Sequence, residues 1–240
     1  HKEKVEGKDV TVVDYKTRDE KVAAAAKAII DPINQAYGEK FAVSKVTLNG
    51  AKAPNGNRDS ETNLGDLCAD AYRAISGADS AFVNGGGIRK QIEAGDITLD
   101  DIYSVHPFGN TMCVIRVTGQ QVLDALEWGA RAVPSENGGF LQVSGLTYEI
   151  HTGVASSAEK DENGMFTRVS GEYRVKNVMV GGQPLELDKT YTLASHNYML
   201  LGHGDGYTMF DGCEVLGEDM MVDNQVLITY ITTTLGGVVG

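Results

Sequence analysis

Segments with the apolar spacing of helices and segments with the character of strands are interspersed along this chain, and several strands follow one another through turns. The clearest helix begins at Asn63, where Leu64, Leu67, Ala71 and Ile75 recur at helical intervals. Interspersed elements bury their apolar faces when the strands form a sheet and the helices cover it. The pattern therefore predicts an α/β (α+β) fold, a mixed β-sheet flanked by helices.

The predicted elements cover most of the chain. Strands are predicted at residues 10–13, 41–48, 80–83, 112–117, 140–150, 173–180 and 191–195. Helices are predicted behind the N-caps Thr17 and Thr118, from Asn63 and after residues 223–224, with a short helix or turn at residues 98–102. Pro32 lies inside the first helix and is expected to kink it, because proline lacks the backbone N–H of the helical hydrogen bond.

The first strand and helix are assigned to an N-terminal segment, residues 1–40, and the remainder to a main domain, residues 41–240. The kinked helix is either a connector from an upstream domain or an ordinary peripheral helix, and the residues leave both open. Because the chain begins with His1 rather than Met, we expect a fragment or a processed chain.

Charge and composition exclude several classes of partner. The net charge of -12 argues against a polymeric nucleic acid, which requires a clustered basic face. The longest apolar stretch, residues 226–239, is interrupted and too short to span a membrane. Cys68, Cys113 and Cys213 lack paired metal-ligand spacing, and Cys68 falls at an apolar helical position that favours a buried thiol.

Three short polar clusters suit a small phosphorylated ligand. They are residues 58–66 (RDSETNLGD), 84–89 (NGGGIR) and 204–207 (GDGY). Arg58 and Arg89 supply forked donors for phosphate oxygens, and the glycine run is expected to present backbone N–H groups to an anion. Phe108 and Tyr207 lie in glycine-flanked turns, where two rings can enclose a base.

Each cluster also has a simpler interpretation. A glycine run alone is more often a turn than a binding site. Arg58 and Glu61 alone favour a surface ion pair, although Glu61 could instead hold the guanidinium towards a ligand. Asp211 is either a ribose ligand or a solvated turn residue. His196 and His203 match no zinc spacing, so a structural role is favoured for both.

Taken together, the clusters resemble the C-terminal substrate-binding domain of the 5′-nucleotidase family, which are exported two-domain metallophosphoesterases. The resemblance extends from about Val43 to the end, and the preceding helix is similar to the family's interdomain helix. The motifs that carry it are residues 58–66, 84–89, 107–110 (PFGN), 140–145 (FLQVSG) and 204–207, in the family's order.

The resemblance implies a role for each matching residue. Arg58 and Arg89 would hold phosphate or ribose beside Asn84 and the Gly86 and Gly87 backbone. Phe108 and Tyr207 would stack the base, and Asp211 would bind ribose hydroxyls.

The resemblance also implies that no catalytic residue lies in this chain. Two divalent metal ions and the catalytic histidine would belong to an N-terminal domain of the same polypeptide, whose D-x-H and G-N-H-[DE] motifs are not found here. The isolated chain would bind a nucleotide or nucleoside without hydrolysing it. The parent would act as a 5′-nucleotidase or 2′,3′-cyclic-nucleotide phosphodiesterase, at an extracellular, cell-surface or periplasmic location.

One residue departs from the family pattern. His203 replaces the first glycine of the family's Gly-Gly-Asp-Gly-aromatic motif, and its imidazole is expected to narrow the base pocket or change the ligand class. Two alternatives remain open: a stand-alone, non-catalytic nucleotide-binding or interaction module, and an unrelated globular domain with chance motifs.

Overall fold

The computed structural model describes residues 2–5, 8–11 and 20–240. The chain divides into two compact units, His1–Glu39 and Lys40–Gly240. In the first unit, β1 (Lys2–Val5) and β2 (Lys8–Thr11) pair antiparallel, and α1 (Glu20–Tyr37) contains Pro32. The predicted first helix is confirmed, whereas its predicted N-cap, Thr17, lies outside the described residues.

The second unit contains the remaining elements. Its helices are α2 (Asn63–Ser76), α3 (Leu99–Val105), α4 (Gly119–Ala130), α5 (Asn197–Leu200) and α6 (Asp223–Thr229), the last continued by a π-helical turn (Tyr230–Thr234). Its strands are β3 (Lys40–Ser44), β4 (Ser80–Asn84), β5 (Gly95–Thr98), β6 (Met112–Thr118), β7 (Leu141–Ser144), β8 (Leu146–Ile150), β9 (Ala158–Lys160), β10 (Phe166–Val169), β11 (Val175–Val180), β12 (Gln183–Pro184), β13 (Thr190–His196), β14 (Glu214–Gly217) and β15 (Val238–Val239).

A five-stranded sheet of order β14-β6-β13-β4-β7 forms the centre of this unit. Its central pair, β13 and β4, is parallel, and its other three pairs are antiparallel. Smaller sheets of order β15-β3-β5, β12-β11-β8 and β10-β9 accompany it. The predicted mixed sheet flanked by helices is confirmed.

Two hydrophobic cores lie on opposite faces of the central sheet. Ala81 and Val83 of β4 belong to one core and Phe82 to the other, and β6 divides in the same way between Val114 and Cys113. Successive side chains of a strand point to opposite faces, so this alternation shows that both faces are covered. The first core includes α2, α3 and α6, and the second includes α4.

Threonine caps define where three helices begin. The Thr62 hydroxyl accepts a hydrogen bond from the Gly65 N–H at 3.0 Å at the start of α2. Thr98 and Thr118 form capping boxes at the starts of α3 and α4. Such caps satisfy backbone donors that have no partner inside the helix. The predicted cap at Thr118 is confirmed.

The predicted strand at residues 140–150 is two strands. Gly145 has a φ of 80° and separates β7, in the central sheet, from β8, in a different sheet. The sequence does not predict the strands β1, β5, β9, β10, β12, β14 and β15. They are short, and β14 lies at a sheet edge with Val215 exposed, so these segments lack the apolar alternation that marks a half-buried strand.

Two further predictions concern single features. Cys68 is a buried thiol in α2, 1% exposed, as predicted. Within the part of the chain that the structure describes, no helix has the length and apolar character needed to cross a membrane.

Candidate functional site

The polar clusters lie together at one end of the central strands, which is called the carboxyl edge of the sheet here. The parallel strands β4 and β13 both end at this edge, at Asn84 and His196. Their antiparallel partners begin there, since Asn84 pairs with Leu141 of β7 and His196 with Met112 of β6. In open α/β sheets, ligands bind outside the carboxyl ends of strands. The topology therefore brings together segments far apart in sequence.

A cavity of about 410 Å³ opens at this edge. Its lining residues are Arg58, Asn84, Gly86, Gly87, Arg89, Phe108, Asn110, Gly138, Tyr198 and Asp205. Six of the eight predicted binding residues belong to this lining: Arg58, Asn84, Gly86, Gly87, Arg89 and Phe108. The volume falls in the range of small-molecule sites.

The other two predicted residues, Tyr207 and Asp211, lie outside this lining. Tyr207 is 0% exposed, because its ring stacks on Phe210 with centroids 6.3 Å apart and its hydroxyl donates to the Gly139 carbonyl. The Asp211 carboxylate instead contacts Nε2 of His203 at 2.5 Å. Neither residue belongs to the cavity lining, and the stacking and ribose-binding roles stay predictions.

Tyr198 and Asp205 occupy the cavity instead. Tyr198 is 43% exposed and Phe108 59%, so two accessible rings line the same cavity. Asp205 has a left-handed φ of 53°, which Asp tolerates better than most residues. Sequence features could have indicated both residues, since Tyr198 follows the end of a predicted strand and Asp205 lies between two glycines.

Hydrogen bonds hold the Asp205 carboxylate in a defined position. Nδ2 of Asn84 donates to Oδ2 of Asp205 at 2.6 Å. The Tyr198 hydroxyl donates to Oδ1 of Asp205 at 3.3 Å and accepts from the Asp205 backbone N–H at 3.2 Å. The carboxylate is thereby fixed in the cavity wall as an acceptor for ligand hydroxyls.

The two arginines give the cavity its positive charge. Nη1 of Arg89 donates to the Gly86 carbonyl at 3.1 Å, and its guanidinium lies 5.7 Å from the Phe108 ring centroid. Nη1 of Arg58 lies 3.8 Å from a carboxylate oxygen of Glu136. The ion pair that the sequence suggested with Glu61 is thus replaced by one with a residue 78 positions further along the chain.

Two amides of the glycine run are bound to backbone carbonyls rather than presented to the cavity. The Gly85 N–H donates to the Phe140 carbonyl and the Gly86 N–H to the Gly138 carbonyl, each at 2.7 Å. These two amides bind the segment before β7, and the arginines are the positively charged donors of the cavity lining. The glycines allow the close approach of two backbones.

Two buried histidines lie behind the cavity. Burial, aided by the neighbouring His106, lowers the pKa of His196 to about 3. Burial also lowers the pKa of His106 to about 4. Both imidazoles are therefore neutral at neutral pH. Within residues 2–5, 8–11 and 20–240, no group of three or more His, Cys, Asp or Glu side chains could hold a metal ion.

Comparison with known proteins places this site in a family. The family model for the 5′-nucleotidase C-terminal domain matches residues 40–212. The chain belongs to this family. The resemblance identified from the motifs is therefore confirmed, and the cavity lies within the matched domain.

The relatives of this 5′-nucleotidase C-terminal domain are longer proteins. A 5′-nucleotidase of Vibrio cholerae is 31% identical over 232 residues, covering 96% of this chain and 38% of that protein. The trifunctional nucleotide phosphoesterase protein YfkN of Bacillus subtilis is 37% identical over 186 residues, covering 76% of this chain and 12% of that protein. The crystal structure of a 5′-nucleotidase precursor from Thermus thermophilus matches with a TM-score of 0.77 and 31% identity, covering 92% of this chain and 41% of that chain.

Proposed function

We propose that this chain is the nucleotide-recognition domain of a longer phosphoester hydrolase, binding nucleoside 5′-monophosphates or closely related nucleotides. The observation that carries the proposal is the composition of one cavity. Two accessible rings, two guanidinium groups and a fixed carboxylate line it together. These are the groups that recognise a base, a phosphate and sugar hydroxyls. The names of the Vibrio and Bacillus relatives support the same ligand class.

Each part of the ligand has a partner in the cavity. Phe108 and Tyr198 enclose the base, replacing the pair that the sequence suggested. The Asp205 carboxylate accepts hydrogen bonds from the ribose hydroxyls. Arg89, whose guanidinium lies beside Phe108, and Arg58 bind the phosphate. In this arrangement the phosphate lies on the arginine side of the cavity, and the base lies between the rings.

In this arrangement the chain binds the substrate, and another part of the parent polypeptide supplies the catalytic chemistry. An N-terminal domain of the same polypeptide would hold two divalent metal ions, which activate a water molecule for attack on the phosphoester. The chain's own residues bind and orient the nucleotide. The length of the relatives supports a parent of this kind. We extend the proposal to α1 as the connector between the domains and to a location outside the cytoplasm, both supported by the family resemblance.

The stacking role of Phe108 is tested by Phe108→Ala. We expect the dissociation constants of AMP and adenosine to rise at least about fivefold, because a stacked base contributes roughly 1–3 kcal/mol. The affinity for inorganic phosphate should remain unchanged. Calorimetric titration of the three ligands measures all of these values.

Two control variants accompany this measurement. Phe108→Tyr keeps an aromatic ring and should retain adenosine affinity. Leu187→Ala removes another exposed apolar side chain, 43% exposed and outside the cavity lining, and should leave all three affinities unchanged. Unaltered adenosine affinity in Phe108→Ala would exclude stacking on this ring.

A further inference from the structure

His196 contacts the binding site from behind without lining the cavity. It is 2% exposed at the end of β13, and its Nε2 lies 3.0 Å from Oδ1 of Asn84. Asn84 in turn is 4% exposed and contacts Asp205 inside the cavity. Asn84 therefore links His196 to Asp205, and the three side chains form a series that ends at the carboxylate proposed to bind ribose.

The partners of Asn84 define which way its amide points. A carboxylate only accepts hydrogen bonds, so the group of Asn84 that lies 2.6 Å from Asp205 must be the amide NH₂. The amide oxygen then faces His196, whose Nε2 must carry a proton to donate to it. In the reverse orientation two acceptor oxygens would face each other at 2.6 Å, and their repulsion disfavours it.

The surroundings of His196 restrict the movement of its ring. Tyr72 approaches edge-on with ring centroids 6.3 Å apart, and the Tyr198 ring lies 5.9 Å away on the cavity side. The backbone of His196 is held by its pairing with Met112 of β6. The imidazole is thereby held facing Asn84.

Gly87 leaves room for the same amide. A Cβ built at Gly87 would lie 2.6 Å from Oδ1 of Asn84 and 3.9 Å from Nε2 of His196. A side chain there would force the amide out of its position, because real Cβ atoms do not approach an oxygen so closely. The absence of a side chain at Gly87 therefore permits the Asn84–His196 contact, and Gly87 also lines the cavity.

We propose that His196, protonated on Nε2, is a positioning residue that orients Asp205 through Asn84 and so determines the preference for ligands with free ribose hydroxyls. This inference rests on the proposed function and deepens it. Without the donor at Nε2, the Asn84 amide can turn and its NH₂ group no longer holds the carboxylate. The hydrogen bonds to the sugar hydroxyls are then weakened, whereas the contacts to the base and the phosphate remain.

The protonation state of the ring agrees with this role. Burial lowers the pKa of His196 to about 3, so the imidazole carries a single proton at neutral pH. Nε2 lies 3.0 Å from the Asn84 amide oxygen, which can only accept a hydrogen bond. The single proton is therefore expected on Nε2.

The test compares adenosine with 2′,3′-dideoxyadenosine, which lacks both hydroxyls. Wild type should bind adenosine at least about tenfold more tightly, because two hydrogen bonds to a carboxylate are lost in the analogue. His196→Leu removes the donor, and this preference should fall to about threefold or less. His196→Gln places an amide donor in a similar position and should restore the preference. If His196 had only a structural role, His196→Leu would weaken the binding of both ligands equally, and the ratio of their dissociation constants would not change.

A spectroscopic measurement tests the tautomer without any ligand. Two-dimensional long-range ¹H–¹⁵N spectra of the wild-type chain should show an N–H type nitrogen at Nε2 of His196 and a pyridine-type nitrogen at Nδ1. A proton on Nδ1 would overturn the inference, as would an unchanged ratio in His196→Leu. Failure of the wild type to bind adenosine or AMP would overturn the proposed function and this inference together, whereas an unchanged ratio overturns the inference alone.

Discussion

Replacing Gly85 by alanine is expected to destabilise the chain by about 4 kcal/mol, a large part of the roughly 5–15 kcal/mol that stabilises an ordinary domain. A Cβ at this position would lie 1.7 Å from the Asn57 carbonyl oxygen and 2.5 Å from its carbonyl carbon. Neither atom can move away freely, because Asn57 is 0% exposed and its carbonyl accepts from Nε2 of Gln142 at 3.1 Å. The Gly85 N–H is itself bound to Phe140.

Urea unfolding followed by circular dichroism measures this effect. Gly153→Ala is the matched control, because no described atom lies within 4 Å of a Cβ at Gly153, and it should change the free energy of unfolding by less than about 0.5 kcal/mol. A Gly85→Ala variant within about 1 kcal/mol of wild type would show that the two backbones at the cavity are not held together as tightly as the structure indicates.

Arg89→Ala is expected to raise the dissociation constant of AMP by about 10- to 100-fold while leaving adenosine almost unaffected. A hydrogen bond to a charged group contributes about 1.5–3 kcal/mol, and each 1.4 kcal/mol corresponds to a factor of ten. Adenosine lacks the phosphate that this guanidinium binds. The difference between the two ligands therefore isolates the phosphate contact.

Two variants separate charge, shape and position in this experiment. Arg89→Lys keeps the charge but loses the forked donor, so its AMP affinity should fall between those of wild type and Arg89→Ala. Arg168→Ala removes an exposed arginine that pairs with Glu159 at 2.7 Å and lies outside the cavity lining, and it should have no effect. An equal loss of AMP and adenosine affinity in Arg89→Ala would place the phosphate elsewhere.

Many residues of the cavity can be predicted from the sequence, because they follow the ends of predicted strands. Asn84 ends β4, and the glycine run with Arg89 follows it directly. A polar cluster at the end of a buried strand predicts a position at the carboxyl edge of a sheet. Phe108 also lies at a turn just before a strand, so its place in the cavity could be predicted.

One difference between the predicted and the observed cavity lining concerns the segment around Asp205. Asp205 lies two positions before Tyr207 and adopts a left-handed φ of 53°. That conformation depends on tertiary contacts, such as the hydrogen bond from Nε1 of Trp128 to the Asp205 carbonyl at 2.9 Å. Local sequence contains no such information.

The partners of Arg58 and of the glycine run also differ from those that the sequence suggested, because they come from a distant segment of the chain. Sequence proximity suggested Glu61 as the partner of Arg58 and free amides in the glycine run. The structure instead brings the segment before β7 to both, through Glu136 and Gly138. Contacts between segments about 50 to 80 residues apart follow from sheet topology, which the local pattern alone does not specify.

The most direct test of the central claim uses the wild-type chain with AMP. Calorimetric titration should show saturable binding, and an assay for released phosphate in the presence of Mg²⁺ or Mn²⁺ should show none above background. Together these results would establish a recognition domain whose chemistry is supplied by the rest of the parent. Release of phosphate by this chain, or no binding of AMP, would contradict the account.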